Sequence, residues 1–425
     1  MRIRVNLKIV RNVVLGLILL SMGFSFGYTY REKELKKSGE LDLSLPQRLT
    51  NTSVPGEYRD VDFTLFWDAW TKLEQNYVDP DKLDKQQMVY GAIKGMVSSL
   101  GDPYTMFLPP VEEKRTTEDL AGAFDGVGIQ LGYKDEQLAV MAPLKGMPAE
   151  KAGVKAGDLI LHIKDVEKGI DEDTRGMSLP DAVDKIRGEK GKVITLTLYR
   201  LGADKTFDVD LARDTILIPS VDLQWLTPEG KAVADDEGYT GPEVAHLSLY
   251  RFGDRTESEW NDAVDQILKQ NNLKGIVLDL RNNPGGYLNG AIFIASEFID
   301  SGLVVKQQGR TQSEDYSVNR KGRLIGKPLS VVVNGGSASA SEIVSGALRD
   351  RLGVKLVGDK TFGKGTVQEQ EELAGGSGMH ITIAKWLLPS GEWIHKEGIP
   401  VAVEATDSAE TTDVDEVVQA AIGEL

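Results

Sequence analysis

The 425-residue sequence contains no cysteine, which excludes disulfides, thiolate nucleophiles, iron–sulfur clusters and cysteine zinc sites together. Any nucleophile must be oxygen or nitrogen. Histidine is nearly as scarce: His162, His246, His380 and His395 lie far apart, so no local histidine metal motif is available and no metal or cofactor is expected. Positive charge is in deficit, with 49 lysines and arginines against 65 acidic residues and a net charge of −16, which disfavours a broad nucleic-acid-binding face. Hydrophobic residues make up 41% and charged residues 27%, which rules out a wholly disordered, collagen-like or polytopic membrane chain. At about 150 residues per domain the length implies two or three domains.

What is present begins with Arg2, Arg4, Lys8 and Arg11, followed by a run without charge from Asn12 to Tyr30, NVVLGLILLSMGFSFGYTY, and then Arg31. A cleavable signal has an apolar centre of about 7–15 residues and a small-x-small site, whereas a spanning helix needs about 20 apolar residues. Ser21-Met22-Gly23 is a weak cleavage site, no Ala-x-Ala follows, and a basic cluster from Arg31 to Lys37 comes next, so the segment reads as an uncleaved signal anchor. Basic residues before the span hold the N-terminus in the cytoplasm, which puts the body on the periplasmic or extracytoplasmic side of the inner membrane; cleavage would make it secreted. Residues 38–60 are polar, proline-punctuated and aperiodic, as in a tether.

From Asp62 to Leu100 apolar residues recur at helical spacing: Leu65, Trp67, Trp70, Leu73 and Tyr77, then Met88, Ala92, Ile93, Met96 and Val97. Two amphipathic helices are expected, with the aromatic stripe as core. Between Gly122 and Arg213 short alternating strands take over (VGIQLGY, LAVMAPL, DLILHIKDV, VITLTLYR, KTFDVDLAR), with helices at Pro148–Ala152 and Leu179–Ile186. This order, together with Gly126-Val127-Gly128-Ile129, AEKAGVKAGDLIL and IRGEKGKVITLTLYR, resembles a PDZ domain. Successive backbone N–H groups at Gly126, Val127, Gly128 and Ile129 would cradle a terminal carboxylate while the next strand edge pairs with an extended tail. From residue 214 onward, strands KGIVLDLR, LSVVVNG and VKLVGD alternate with helices LNGAIFIASEFI and SEIVSGALRDRL, the signature of βαβ units; HITIAKWLL adds a strand and DEVVQAAIGEL a closing helix.

Two clusters carry chemistry. Gly335-Gly336-Ser337-Ala338-Ser339-Ala340-Ser341-Glu342 lies between an apolar strand and a helix, so its hydroxyls stand where the helix dipole favours developing negative charge. Ser339 or Ser341 could be a nucleophile there, or only a helix cap. Thr361-Phe362-Gly363-Lys364-Gly365-Thr366-Val367-Gln368 sets a lysine between two glycines after a buried strand, where desolvation would lower its pKa and make it a base. Gln368, four residues on, shares a face with Lys364 in either a strand or a helix and could orient the amine. Gly358 through Lys364 imitates a phosphate loop but has Gly365 where Ser or Thr is needed, and no G-x-S-x-G frames the serines.

In order, SSLGDPYTMFLPP, the PDZ-like unit, VLDLRNNPGG, NGGSASASEI, GDKTFGKGTVQ and LLPSGEWI resemble the carboxyl-terminal processing, or tail-specific, proteases over nearly all the chain after the anchor. The resemblance implies a multidomain α/β protein: anchor 1–37, tether 38–60, helical segment 61–113, an inserted mainly β PDZ domain 114–213, and a serine protease core 214–425 related to the ClpP/crotonase type. It also implies Ser339 as nucleophile, Lys364 as general base, Gln368 as supporting amide, and an oxyanion hole from the N–H groups of Gly285, Gly286 and Ala340. Arg187 would couple PDZ position to the active site. Partners would be proteins with flexible, apolar C-terminal tails, with an adaptor or homo-oligomer left open. Two features depart from the family: Gly398-Ile399-Pro400-Val401 where Gly-Ile-x-Pro-Asp is usual, and Trp225–Pro242, which reads as an insertion. The competing expectation is an inactive PDZ scaffold that only binds tails.

Overall fold

The computed structural model describes residues 61–233, 239–407 and 415–425. The anchor and tether lie outside the described residues. Among the described residues no helix is long and apolar enough to cross a membrane. Residues 61–84 belong to a first unit and consist of helix α1 (Thr64–Asn76) and a single 3₁₀ turn, Pro80–Lys82. The expectation that the aromatic stripe forms core is not met. Helix α1 buries no residue, and Leu65, Trp67 and Leu73 are exposed. Among the described residues of this unit no second layer covers the apolar stripe of α1, and Phe66 sets its ring against Trp67 at 5.0 Å and Trp70 at 6.0 Å.

The second unit opens with α2 (Lys85–Ser98), β1 (Met106–Leu108) and α3 (Pro110–Ala121). It continues through β2 (Ala123–Gly126), β3 (Ile129–Lys134), β4 (Gln137–Pro143), α4 (Pro148–Lys151), β5 (Leu159–Asp165) and β6 (Ile170–Asp173). Then come α5 (Leu179–Ile186), β7 (Val193–Tyr199), β8 (Phe207–Ala212) and β9 (Asp214–Leu217). The sheet runs in the order β3-β4-β5-β7-β8, with β6 on β5. Alternation builds its core. In β7 every second residue, Ile194, Leu196 and Leu198, is fully buried against Leu138, Ile160 and Ile163. A buried Arg213–Asp165 pair at 2.7 Å ties the end of this module to β5, and the β2–β9 ladder joins the entering chain to the leaving one. Helix α5 begins as its sequence dictates: Ser178 accepts a hydrogen bond from the Asp181 N–H at the N-cap, with Pro180 in the first turn.

The remainder comprises β10 (Val221–Leu226), β11 (Glu243–Leu249), α6 (Thr256–Lys269), β12 (Leu273–Asp279), α7 (Leu288–Phe298), β13 (Leu303–Gly309) and β14 (Ser313–Ser317). It ends with β15 (Leu329–Val333), α8 (Ala340–Leu352), β16 (Leu356–Gly358), β17 (Thr366–Glu372), β18 (Gly378–Leu387), β19 (Val403–Glu404) and α9 (Glu416–Gly423). Its main sheet is ordered β10-β11-β12-β15-β16-β19 and is parallel except for β10. Trp225 and Leu226 therefore belong to an antiparallel edge strand paired with β11, and only the residues after them extend as the insertion that the sequence suggested. Helices α6, α7 and α8 cover one face with Trp260, Phe298 and Val344, and α9 covers the other with Val418 and Ile422. A second sheet, β1-β18-β13-β14 with β17 on β18, stands beside it.

Candidate active site

Three loops leave the carboxyl ends of three neighbouring parallel strands: Asn282–Gly286 after β12, Asn334–Ser339 after β15, and Thr361–Gly365 beyond β16. Ligand sites of parallel sheets form at such ends. Side chains lace the first two loops together. Asn334 Oδ1 accepts from the backbone N–H of Asn282 and of Gly336, each at 2.9 Å, and Asn334 Nδ2 donates to Asn282 Oδ1. The Asn283 carbonyl accepts from the Ala338 N–H and from the Ser341 hydroxyl.

The three serines are not equivalent. Ser337 is buried and donates to the Leu280 carbonyl at 2.7 Å, and Ser341 is buried and donates to that of Asn283 at 2.8 Å. Ser339 alone reaches the cleft. It sits at the N-cap of α8 with φ 55° and ψ −113°, a conformation costing about 1–3 kcal/mol for a residue with a side chain. Its side-chain oxygen accepts from the Glu342 N–H as one half of a capping box, and among the described residues its hydroxyl hydrogen has no acceptor.

Glu342 organises the rest. Its buried carboxylate accepts from the Ser339 N–H at 2.9 Å, the Lys364 N–H at 2.8 Å, the Gly363 N–H at 2.6 Å and the Thr361 hydroxyl at 2.6 Å. One side chain thus fixes the backbone of both reactive loops. Sequence reasoning gave Glu342 no role, although Ser-x-x-Glu at a helix start is a capping-box signal. Two indoles hold the lysine loop from the other side: Trp386 donates to the Lys364 carbonyl and Trp393 to that of Gly365.

The Lys364 amine has, among the described residues, no hydrogen-bond or ion-pair partner. It lies 5.3 Å from the centre of the Tyr104 ring. Burial pushes its pKa below the ordinary value, against the weaker pull of the Glu342 and Asp102 carboxylates, which favour the charged form. Asp102 is occupied elsewhere, accepting from the Tyr104 N–H and the Thr105 hydroxyl.

A cleft of about 480 Å³ is lined by Ser339, Ala340, Lys364, Gln368, Gly285 and Gly286, together with residues of α3 and the β17–β18 ladder. All six catalytic and oxyanion candidates therefore share one cavity. Two details differ from expectation. The Gly285 N–H already donates to Asn283 Oδ1 at 2.9 Å, so of the three expected oxyanion donors only the Gly286 and Ala340 N–H groups lack an acceptor among the described residues. Gly285 serves packing: a Cβ there would lie 2.9 Å from Ser339 Cβ and 3.0 Å from the Ala340 nitrogen. The second difference concerns Gln368, which donates to Thr366 and Thr382 rather than contacting the amine. Lys364 lies in the loop ahead of β17, which starts at Thr366, so the even strand step on which the shared-face argument relied does not run from it to Gln368.

The tail-loop candidates fall together as well. Gly126 ends β2, Val127 is buried, Gly128 has φ +74°, and Ile129 starts β3. Arg187 lies away from the cleft. Its guanidinium covers the Phe124 ring at 3.9 Å and reaches Glu118 of α3 at 3.4 Å.

The chain is similar to known proteins over most of its length. The profile of Peptidase family S41 matches residues 243–405, that of the activating protease CtpB N-terminal domain 22–110, and that of the PDZ domain 140–200. The carboxy-terminal processing protease CtpA of Bacillus subtilis is 36% identical over 360 residues, covering 84% of this chain and 72% of that one. CtpB of the same organism is 32% identical, covering 85% and 71%. Among solved structures, a photosystem II D1 C-terminal processing protease aligns with 31% identity over 84% of this chain and 96% of its own, at a TM-score of 0.48.

Proposed function

The chain belongs to peptidase family S41 and is a serine-type peptidase with a PDZ domain, and from that premise we propose that it is an extracytoplasmic endopeptidase working through a Ser339–Lys364 dyad. Neutral Lys364 takes the Ser339 proton as the hydroxyl attacks the substrate carbonyl. The Gly286 and Ala340 N–H groups receive the oxyanion. The lysine ammonium then protonates the leaving amine, and water deprotonated by the same amine releases the acyl group from Ser339. Both Gln368 amide hydrogens are engaged by threonines, so only its Oε1 would be left to accept a hydrogen bond from the amine.

The observation that carries this reading is the sharing of one cleft by the one serine of the SASAS run whose hydroxyl donates to no carbonyl and by a lysine with no carboxylate partner among the described residues. The PDZ domain would capture flexible, apolar C-terminal tails and present the preceding chain. The Arg187–Glu118 contact supports a route for coupling, because α3 also lines the cleft with Thr116, Asp119 and Leu120. The basic residues ahead of the uncharged run at Asn12–Tyr30 support an anchor with the catalytic body outside the inner membrane.

The test is the pH dependence of kcat/KM on a quenched fluorescent peptide, for the wild-type chain and Ser339→Ala. Below its pKa the amine is protonated and inert; above it the amine is a base. Activity is expected to rise with pH on a limb lying below the ordinary lysine value of 10.5, and Ser339→Ala is expected to be inactive throughout. Equal activity of the two proteins contradicts the dyad.

A further inference from the structure

In the PDZ module one side-chain hydrogen bond links β3 to the residues ahead of α5. Strand β3 is an edge strand whose only strand partner among the described residues is β4, so its other side is available for pairing. Along β3, Ile129, Leu131 and Tyr133 share one face. Ile129 and Leu131 pack with Leu179, Ala182 and Ile186 of α5 around the module core. Tyr133 does something different. It is half exposed, and its hydroxyl crosses to donate to the Met177 carbonyl at 2.9 Å, two residues ahead of α5. The acceptor is held rigidly: the Met177 N–H donates to the Thr174 carbonyl, Thr174 is buried and bonds Ile160, and Ser178 caps α5.

We propose that the Tyr133–Met177 bridge limits strand addition, so that the domain reads only the last few residues of a tail. Four positions, Ile129 to Gly132, precede the bridge, which sets the paired segment at roughly four residues counted from the free carboxylate. Upstream residues of the tail must rise out of the groove at Tyr133, leaving them unpaired and free to enter the cleft. This inference rests on the tail-binding reading above.

The experiment measures binding of fluorescein-labelled peptides to the full chain carrying Ser339→Ala, which prevents turnover. Four-, six- and eight-residue peptides all end in Val-Ala-Val and are padded upstream with Ser and Thr, each as the free acid and the amide. The expected result is acid-dependent binding with dissociation constants that agree within about twofold across the three lengths, because upstream residues gain no strand partner. With Tyr133→Ala added, the eight-residue acid is expected to bind at least about fivefold tighter than the four-residue acid as pairing extends past the former bridge. Tyr133→Phe, which keeps the ring and loses the hydrogen bond, is expected to fall between. Acid-dependent binding that already tightens more than fivefold with length in the Tyr133 protein, or length-independent binding that persists in Tyr133→Ala, overturns the bridge alone. Equal binding of acids and amides, or no binding of either, overturns the tail-binding reading and the bridge with it.

Discussion

Replacing Lys364 with methionine is expected to abolish peptide hydrolysis, lowering kcat/KM by at least about 10³-fold, while leaving the melting temperature unchanged or raised. The two halves of this result have one cause. Burial holds the amine's pKa in the folded state below its value in the unfolded chain. The unfolded chain therefore binds the proton more strongly, stability rises with pH between the folded value and the ordinary 10.5, and the full penalty is in force below that window. Methionine matches the stem in size and removes the charge, and with it the penalty and the base. Calorimetry beside the peptide assay checks both halves. A variant that keeps activity within tenfold of wild type would show that Lys364 is not the base, and a large fall in melting temperature would show that the amine holds the fold together.

The second large effect is expected at Glu342. Glu342→Ala removes the acceptor for four donors at once, those of Ser339, Thr361, Gly363 and Lys364. Each buried donor left without a partner costs about 1–3 kcal/mol, although relaxation and water entry make the sum less than additive. A loss of about 3 kcal/mol in unfolding free energy and of at least about 10²-fold in kcat is expected. Glu342→Gln separates position from charge. It keeps the size of the side chain but removes a carboxylate that favours the charged form of Lys364, so the activity limb should move to lower pH. Urea denaturation and the pH profile of kcat/KM are the measurements. A Glu342→Gln enzyme with an unmoved limb would confine Glu342 to a mechanical role.

Much of this site was legible where local chemistry decides it. The span Leu179–Ile186 follows from Ser178, Pro180 and an apolar stripe, all local signals, and β7 follows from strict alternation. The three reactive loops stood out because Asn, Gly and Pro interrupt runs of Val, Ile and Leu. The misses concern partners that sequence distance hides. Glu342 finds its donors 3, 19, 21 and 22 residues away, and nothing in a periodic pattern announces such convergence. The Gly285 N–H is satisfied by the side chain two residues before it, a local turn that the motif alone did not reveal. That β17 starts only at Thr366, so that no strand step links Lys364 to Gln368, depends on where pairing with β18 begins. The aromatic stripe of α1 obeys helical spacing yet is exposed, because periodicity shows which residues share a face and not whether another layer covers it.

The central claim is an amine at position 364 that loses its proton early enough to serve Ser339. Its most direct measurement is the titration of the Lys364 side chain by carbon-13 lysine NMR, assigned by the signal that vanishes in Lys364→Met. The account predicts a midpoint below 10.5 that coincides with the rising limb of kcat/KM. An amine that stays protonated beyond that value while the enzyme is fully active at lower pH would contradict it.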